Sequence, residues 1–154
     1  LARSPEAKLL LVGDGPLRPR VEAALSPLGR SGHVAGAVEN ARMPGFLQAG
    51  DVYASFSESV GSSVSVLEAM ASALPCVVTD LEANREWVEE GKSGFLVGRG
   101  DMDAMADRLG RILSDPALRR RMGERGLQIA RGRADWTVNA ARMLDGYERA
   151  LRPS

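Results

Sequence analysis

The stretch Gly61-Ser62-Ser63-Val64-Ser65-Val66-Leu67-Glu68-Ala69-Met70 decides how the whole chain is interpreted. It follows an apolar, strand-like run at residues 51–55 and a polar turn at residues 57–59. Apolar residues then recur at helical spacing, at Val64, Leu67, Met70 and Ala71. The first N–H groups of a helix have no intrahelical partner and lie at the positive end of its dipole. A strand, a Gly/Ser turn and a helix start therefore predict an anion-binding site.

Glu68 lies one to two turns inside this predicted helix. A carboxylate repels a phosphate, but it accepts hydrogen bonds from sugar hydroxyls. An anion site and a hydroxyl acceptor on one helix thus indicate a nucleotide site. The alternative is a buried helix behind a turn, with Glu68 on its exposed face, and spacing alone does not choose between the two.

The composition argues against several classes of partner. The 154 residues include 20 basic and 20 acidic side chains, and this balance argues against nucleic acid as a partner. Cys76 is the only cysteine, which excludes an internal disulfide and favours a reducing, cytoplasmic compartment. Its strand-like surroundings predict a packed thiol. The single histidine, His33, excludes histidine-based metal clusters, so no metal is expected. No apolar run approaches the length of a membrane span.

Strand and helix patterns alternate along the chain. Short apolar runs predict strands at residues 9–12, 33–38, 51–55, 75–79 and 94–97. From Asp101 onward only amphipathic helices follow. The prediction is an α/β fold: one Rossmann-like domain over residues 1–154, with a parallel sheet, helices on both faces and a final run of helices. The run Leu9-Leu10-Leu11-Val12 is predicted to be buried on both faces. Ligands of such sheets bind where the strands end.

The order of several motifs resembles one family, the retaining glycosyltransferases called glycosyl transferases group 1, or family 4. The matching stretches lie at residues 10–18, 36–38, 51–53, 62–71, 74–80, 84–86, 91–97, 115–116 and 119–123. Each motif is weak alone, but their order and spacing together are specific. The resemblance implies the GT-B fold, in which two Rossmann-like domains face each other across a cleft. This chain resembles the C-terminal domain, which binds the nucleotide-sugar donor.

The resemblance also implies that the chain is a fragment. It begins at what should be the second strand, so the N-terminal acceptor domain and the first strand of this domain are expected to be absent. We therefore expect unpaired strand edges and self-association of the fragment. The implied donor is a UDP- or GDP-sugar with no separate cofactor. The implied acceptor is a glycan, a lipid-linked sugar or a small molecule, and action at the inner face of the membrane stays open.

The resemblance assigns the central motif to the donor. The family carries two glutamates around a seven-residue spacer; Glu68 matches the second, which implies hydrogen bonds to the ribose. The first falls at Val60, which cannot contact the donor sugar as a carboxylate does. Glu58 replaces it only if the loop rearranges. The backbone cradle for the diphosphate and sugar would be formed by Gly61, Ser62, Ser63 and Val64.

Other candidate residues surround this motif. The backbone of Ala37 and Val38 would contact the base, and Gly13 and Gly15 would shape the turn beside the cleft. Arg85 would contact phosphate, or instead form a surface ion pair with one of two acids of its neighbourhood, Glu82 or Glu89. No side chain is assigned a catalytic role.

The implied activity is metal-independent transfer of a hexose from a nucleoside-diphosphate sugar to a hydroxyl, with retention. The isolated chain is expected to be inactive. Val60 motivates an alternative, a non-catalytic binding domain that kept the fold. A sugar-nucleotide epimerase on the same fold is a third interpretation, although its catalytic acids are not identifiable.

Overall fold

Five short parallel strands alternate with helices in residues 6–59 and 63–151, which the computed structural model describes. The strands are β1 (Leu9–Val12), β2 (Gly32–Gly36), β3 (Tyr53–Ser55), β4 (Cys76–Thr79) and β5 (Gly94–Val97). The helices are α1 (Arg18–Leu25), α2 (Met43–Gln48), α3 (Val64–Ala71), α4 (Glu82–Arg85), α5 (Met102–Ser114), α6 (Pro116–Arg133) and α7 (Trp136–Ala150). The predicted α/β fold with a final run of helices is confirmed.

The strands form two separate parallel sheets. β1 pairs with β2, and β3, β4 and β5 pair in that order. Within the described ranges, β1 and β3 are therefore each paired along one edge. Since every open sheet has two edge strands, this does not test the expectation of edges left unpaired by a missing strand. That expectation stays a prediction.

The hydrophobic core surrounds β4, whose four residues are all buried. One face of β4 carries Cys76 and Val78, which belong to a cluster with residues of α3 and α6. The other face carries Val77, which clusters with β5, α5 and the start of α6. Cys76 is fully buried, so the predicted packed thiol is confirmed, and burial raises the pKa of this thiol to about 12.

The prediction for β1 was wrong. Its residues alternate between half-buried and exposed, and Leu10 and Val12 are 40% and 37% exposed. A continuous apolar run is buried on both faces only where other elements cover both faces of the sheet. In the described part of the chain, the β1–β2 sheet is covered on one face only.

Close backbone packing holds α3 against α6. A Cβ atom on Gly123 of α6 would lie 2.0 Å from the carbonyl oxygen of Ala73, just after α3. Only glycine allows this approach. The chain directly after α3 is thus packed tightly against the backbone of α6.

The last helix, α7, lies apart from this packing. Apolar side chains along it are exposed, at Trp136, Met143, Leu144, Tyr147 and Leu151. None of the helices in residues 6–59 and 63–151 has the length and apolar character needed to cross a membrane.

Candidate functional site

The candidate site lies where the strands of the larger sheet end. The chain leaves β3 toward the N-terminus of α3, and it leaves β4 toward α4. Because the carboxyl ends of parallel strands meet at one edge of a sheet, these two segments lie side by side. A hydrogen bond between buried side chains joins them, since Ser63 Oγ donates to Asn84 Oδ1 over 2.7 Å.

Among the residues that the structure describes, no side chain caps the N-terminus of α3. Ser63 is the N-cap residue, but its side chain accepts no hydrogen bond from the helix backbone. Among the described residues, the first backbone hydrogen bond of α3 runs from Leu67 N to Ser63 O, over 3.0 Å. The N–H groups of residues 64–66 thus have no acceptor among the described residues. Such N–H groups are the donors that bind an anion at a helix start.

Glu68 follows one turn later on α3. Its side chain is half-buried and makes no hydrogen bond or ion pair to any residue that the structure describes. Ser65 lies three residues earlier, on the same face of the helix, and its Oγ accepts a hydrogen bond of 2.8 Å from the hydroxyl of Tyr53 on β3. A carboxylate free to accept hydrogen bonds thus lies near the amides at the helix start.

Part of the predicted diphosphate cradle lies outside the residues that the structure describes. Val60, Gly61 and Ser62 lie outside the described residues, so their predicted roles stay predictions. Ser63 is 3% exposed, whereas Val64 is 57% exposed. The side chain of Ser63 therefore points inward to Asn84 and does not cap α3.

The other predicted positions lie on the smaller sheet. Ala37 and Val38 directly follow β2, and Gly13 follows β1. Gly13 has a φ of 139°, which favours glycine, and its N–H donates to Gly36 O over 2.8 Å. The structure thus places these residues at the carboxyl ends of β1 and β2, where ligands of parallel sheets bind.

Gly15 belongs to a turn that Asp14 stabilises. Asp14 accepts a hydrogen bond from Gly15 N and another from Arg18, each 2.8 Å long. The backbone bond first, and then the Arg18 guanidinium, hold the pKa of Asp14 below its usual value. Asp14 thus acts as a turn residue.

Arg85 forms an ion pair, but with neither of the acids considered from the sequence. Its Nε and Nη2 donate to the two carboxylate oxygens of Asp80, over 2.5 and 2.8 Å. This bidentate bond raises the pKa of Arg85 and lowers that of Asp80. Glu89 instead binds Arg125 on α6. Sequence proximity suggested the wrong acids because the chain turns sharply after β4 and brings Asp80 back to Arg85.

An open cavity of about 750 Å³ lies beside Arg85. Charged side chains of both signs line it, at Glu82, Arg85, Glu86 and Arg99. Ser59 also lines it and precedes the predicted diphosphate loop. Arg85 therefore remains near the predicted anion site even though Asp80 holds its guanidinium.

Sequence reasoning missed the role of Asn84. This residue is 3% exposed, accepts the Ser63 hydroxyl, and donates from Nδ2 to Thr79 O over 2.7 Å. Its partner Ser63 lies 21 residues away along the chain. The sequence signals were a family-like stretch at residues 84–86 and an asparagine among charged residues after a buried strand, and neither identifies a partner.

Comparisons with known proteins give a consistent result. A sequence model of the family described as Glycosyl transferases group 1 matches residues 1–115. The phosphatidyl-myo-inositol mannosyltransferase of Mycobacterium leprae is 33% identical over 146 residues, which cover 93% of this chain and 38% of that protein. The chain thus spans well under half the length of this relative.

Solved structures share the fold. The sucrose-phosphate synthase of Thermosynechococcus elongatus superposes with a TM-score of 0.87 at 25% identity, covering 97% of this chain and 41% of that one. HepE of Anabaena, solved in complex with UDP, gives a TM-score of 0.82 at 23% identity, covering 96% and 42%.

Proposed function

The chain belongs to the glycosyl transferases group 1 family and has the fold of the C-terminal domain of its GT-B proteins, and on this premise we propose that it binds the nucleotide-sugar donor. The activity of the whole protein would be transfer of a hexose from a nucleoside-diphosphate sugar to a hydroxyl acceptor. The transfer would retain the configuration of the sugar and need no metal.

One observation supports this proposal: α3 has amides at its start, and a carboxylate one turn later, that bind no residue in ranges 6–59 and 63–151. The amides would bind the diphosphate and stabilise the negative charge that develops on it as the sugar leaves. Glu68 would accept hydrogen bonds from the ribose hydroxyls. Hydrogen bonds to a charged group contribute about 1.5–3 kcal/mol each, so Glu68 would set much of the affinity.

Ala37 and Val38 would contact the base through their backbone, since they follow β2 at the same kind of strand end. Gly13 and Gly15 would form the adjacent turn. Arg85 would contribute the outward part of its guanidinium to phosphate, since Nη1 takes no part in the two bonds to Asp80.

The donor class is supported by a neighbour and by family membership. HepE was solved with UDP, which favours a uridine nucleotide among the candidates, with a guanosine nucleotide as the alternative. The Mycobacterium leprae relative is named for a phosphatidyl-inositol acceptor, which is consistent with a hydroxyl acceptor here.

Val60 favours a second candidate function. The family carries a carboxylate at this position, and valine cannot accept hydrogen bonds from the donor sugar. The second candidate is thus a domain that binds nucleotide without transferring sugar. Replacing Val60 by Glu in the full-length protein separates the two: a gain of turnover in an inactive parent supports the binding domain, and turnover in the unmodified protein excludes it.

The proposed ribose contact is tested by calorimetry on the 154-residue chain. We expect UDP or GDP to bind, and Glu68→Ala to weaken binding at least tenfold, the loss of about one charge-assisted bond. Glu148→Ala on the exposed last helix is the matched control and should leave the affinity unchanged. The 2′-deoxy nucleotide should bind the unmodified chain more weakly than the ribonucleotide, and Glu68→Ala should reduce this difference.

Two results would contradict the proposal. One is the absence of binding of both nucleotides at millimolar concentration. The other is an equal affinity of the Glu68→Ala and unmodified chains, which would show that the carboxylate does not contact the ribose.

A further inference from the structure

The side chain of Ser63 occupies an unusual position for a serine at a helix start. A serine at the N-cap ordinarily accepts a hydrogen bond from the N–H of the second or third helical residue, which here are Ser65 and Val66. Ser63 makes no such bond. Its hydroxyl instead donates to Asn84 Oδ1 over 2.7 Å, and both residues are 3% exposed.

Asn84 is itself held in one orientation. Its Nδ2 donates to the carbonyl oxygen of Thr79 over 2.7 Å. Because a carbonyl only accepts, the amide nitrogen must face Thr79 and the amide oxygen must face Ser63. Thr79 ends β4, the most buried strand, so this orientation is anchored in the core.

The bond to Asn84 determines what the Ser63 oxygen can reach. Donating a proton leaves the hydroxyl lone pairs unused, so the bond does not block acceptance chemically. It does fix the side chain in a direction from which the oxygen accepts nothing from α3. The Ser63 hydroxyl oxygen therefore does not compete with a ligand for the first amides of α3.

We infer that Asn84 is a positioning residue: by holding the Ser63 hydroxyl away from α3, it keeps the first amides of that helix free for an anionic ligand. This inference rests on the proposed function, because it names what prepares the same diphosphate site. Three helices in the C-terminal part of the chain show the ordinary arrangement, in which a side chain caps the helix start. Asp101, Asp115 and Asp135 each cap the helix that follows them with their own carboxylate.

Three variants test this inference by nucleotide affinity. In Asn84→Ala the Ser63 hydroxyl is released and caps α3, so the affinity for UDP or GDP should fall about fivefold, the effect of one N-cap bond. Ser63→Ala has no hydroxyl to compete for the amides, so its affinity for UDP or GDP should fall less than that of Asn84→Ala. The double variant should bind more tightly than Asn84→Ala alone, because removing the hydroxyl frees the amides again.

A purely structural role for Asn84 predicts the opposite pattern. If the buried bond only stabilises the fold, the double variant should bind no better than Asn84→Ala, and Ser63→Ala should lose as much affinity as Asn84→Ala. Either result, in variants that melt cooperatively, overturns the inference. Should Asn84→Ala not fold, Asn84→Ser takes its place, because serine fills more of the buried space than alanine and is still too short to hold Ser63.

Amide hydrogen exchange gives a readout that needs no ligand. In the unmodified chain, the N–H groups of Ser65 and Val66 should exchange rapidly. In Asn84→Ala at least one of them should be slowed by the new cap, and in the double variant it should become rapid again. Unchanged exchange in Asn84→Ala would contradict the inference.

The two proposals fail in different ways. If the unmodified chain binds neither UDP nor GDP, the proposed function fails and the inference fails with it. If the chain binds nucleotide and Glu68→Ala weakens this binding, while the pattern among the Ser63 and Asn84 variants is absent, only the role of Asn84 is wrong.

Discussion

The two sheets of this chain contain strands of similar apolar sequence but differ in what covers them. Cys76–Thr79 of β4 is buried at every position, whereas Leu9–Val12 of β1 alternates between half-buried and exposed residues. Helices pack on both faces of β4. The difference teaches that burial of an apolar run depends on its neighbours in the fold, which the run itself does not contain.

The same contrast divides the proposed donor site. On the larger sheet, buried hydrogen bonds link Ser63, Asn84 and Thr79. On the smaller sheet, the turn around Gly15 is held by exposed bonds between Asp14 and Arg18. We therefore expect the side chains of Ser63 and Asn84 to be held in one orientation, and the part proposed to contact the base to depend more on the ligand.

The largest loss of stability should come from a change at the close contact between Gly123 of α6 and the backbone after α3. In Gly123→Ala the new Cβ would meet the backbone oxygen of Ala73 at 2.0 Å, and backbone cannot move aside as a flexible side chain does. We expect a loss of about 3 kcal/mol or more in the free energy of unfolding, measured by urea denaturation.

Gly132 in the same helix provides the matched control. A Cβ there would have no other atom within 4 Å. Gly132→Ala should stabilise the protein by about 0.5–1 kcal/mol, because alanine favours the helix over glycine. Equal effects of the two substitutions would show that α3 and α6 do not pack as closely as described.

A pair of valines compares the two sheets directly. Val78 on β4 is fully buried, with 0% exposure, whereas Val12 on β1 is 37% exposed. Val78→Ala should lower the free energy of unfolding by about 2 kcal/mol, and Val12→Ala by less than about 1 kcal/mol. Denaturant titrations of both variants measure this difference. A Val12→Ala loss as large as that of Val78→Ala would mean that β1 is covered on both faces after all.

The order of the elements could be predicted from the sequence, because hydrophobic spacing is a local property. The helix at Val64–Ala71 and the strand at Cys76–Thr79 were both predicted from their own residues. The exposure of Leu10 could not be predicted in this way. It depends on which elements pack against β1, and no spacing rule contains that information.

The residues of the candidate site also differ in whether their features are local along the chain or depend on packing. Glu68 and the helix start were predicted as site residues from one continuous motif, whose residues lie close together along the chain. Asn84 and the Asp80–Arg85 pair were missed or given the wrong partners, because their bonds depend on how two strand ends come together. Contacts across the fold require coordinates.

Helix capping should give a smaller effect within the packed part of the molecule. Asp115 accepts hydrogen bonds from Ala117 N over 3.0 Å and from Leu118 N over 2.9 Å at the start of α6. Asp115→Ala should lower the free energy of unfolding by about 1 kcal/mol. Glu124→Ala on the exposed surface of α6 is the control and should change stability little. If denaturant titrations give both variants the same free energy of unfolding, the cap does not contribute to the stability of α6.

The smallest effect should be a dependence of stability on acid, and it should again differ between the two parts of the chain. The hydrogen bonds from Arg125 are the main cause that holds the pKa of Glu89 below its usual value. A carboxylate with a depressed pKa in the folded state stabilises the fold above its unfolded pKa, and this contribution is lost as the pH falls through the folded value. The melting temperature of the unmodified chain should therefore fall between about pH 6 and about pH 3.5, and that of Glu89→Gln should fall by less over the same range.

Asp14→Asn on the smaller sheet is the comparison for this acid effect. The pKa of Asp14 is also lowered, first by the Gly15 N–H and then by Arg18. Its bonds join residues at most four positions apart, whereas the Glu89–Arg125 pair joins residues 36 positions apart and forms only when α6 packs. A local turn persists in part in the unfolded chain, so its carboxylate changes its pKa less on folding. Asp14→Asn should thus alter the acid dependence less than Glu89→Gln, and the reverse order would show that the smaller sheet contributes the pH-sensitive contacts.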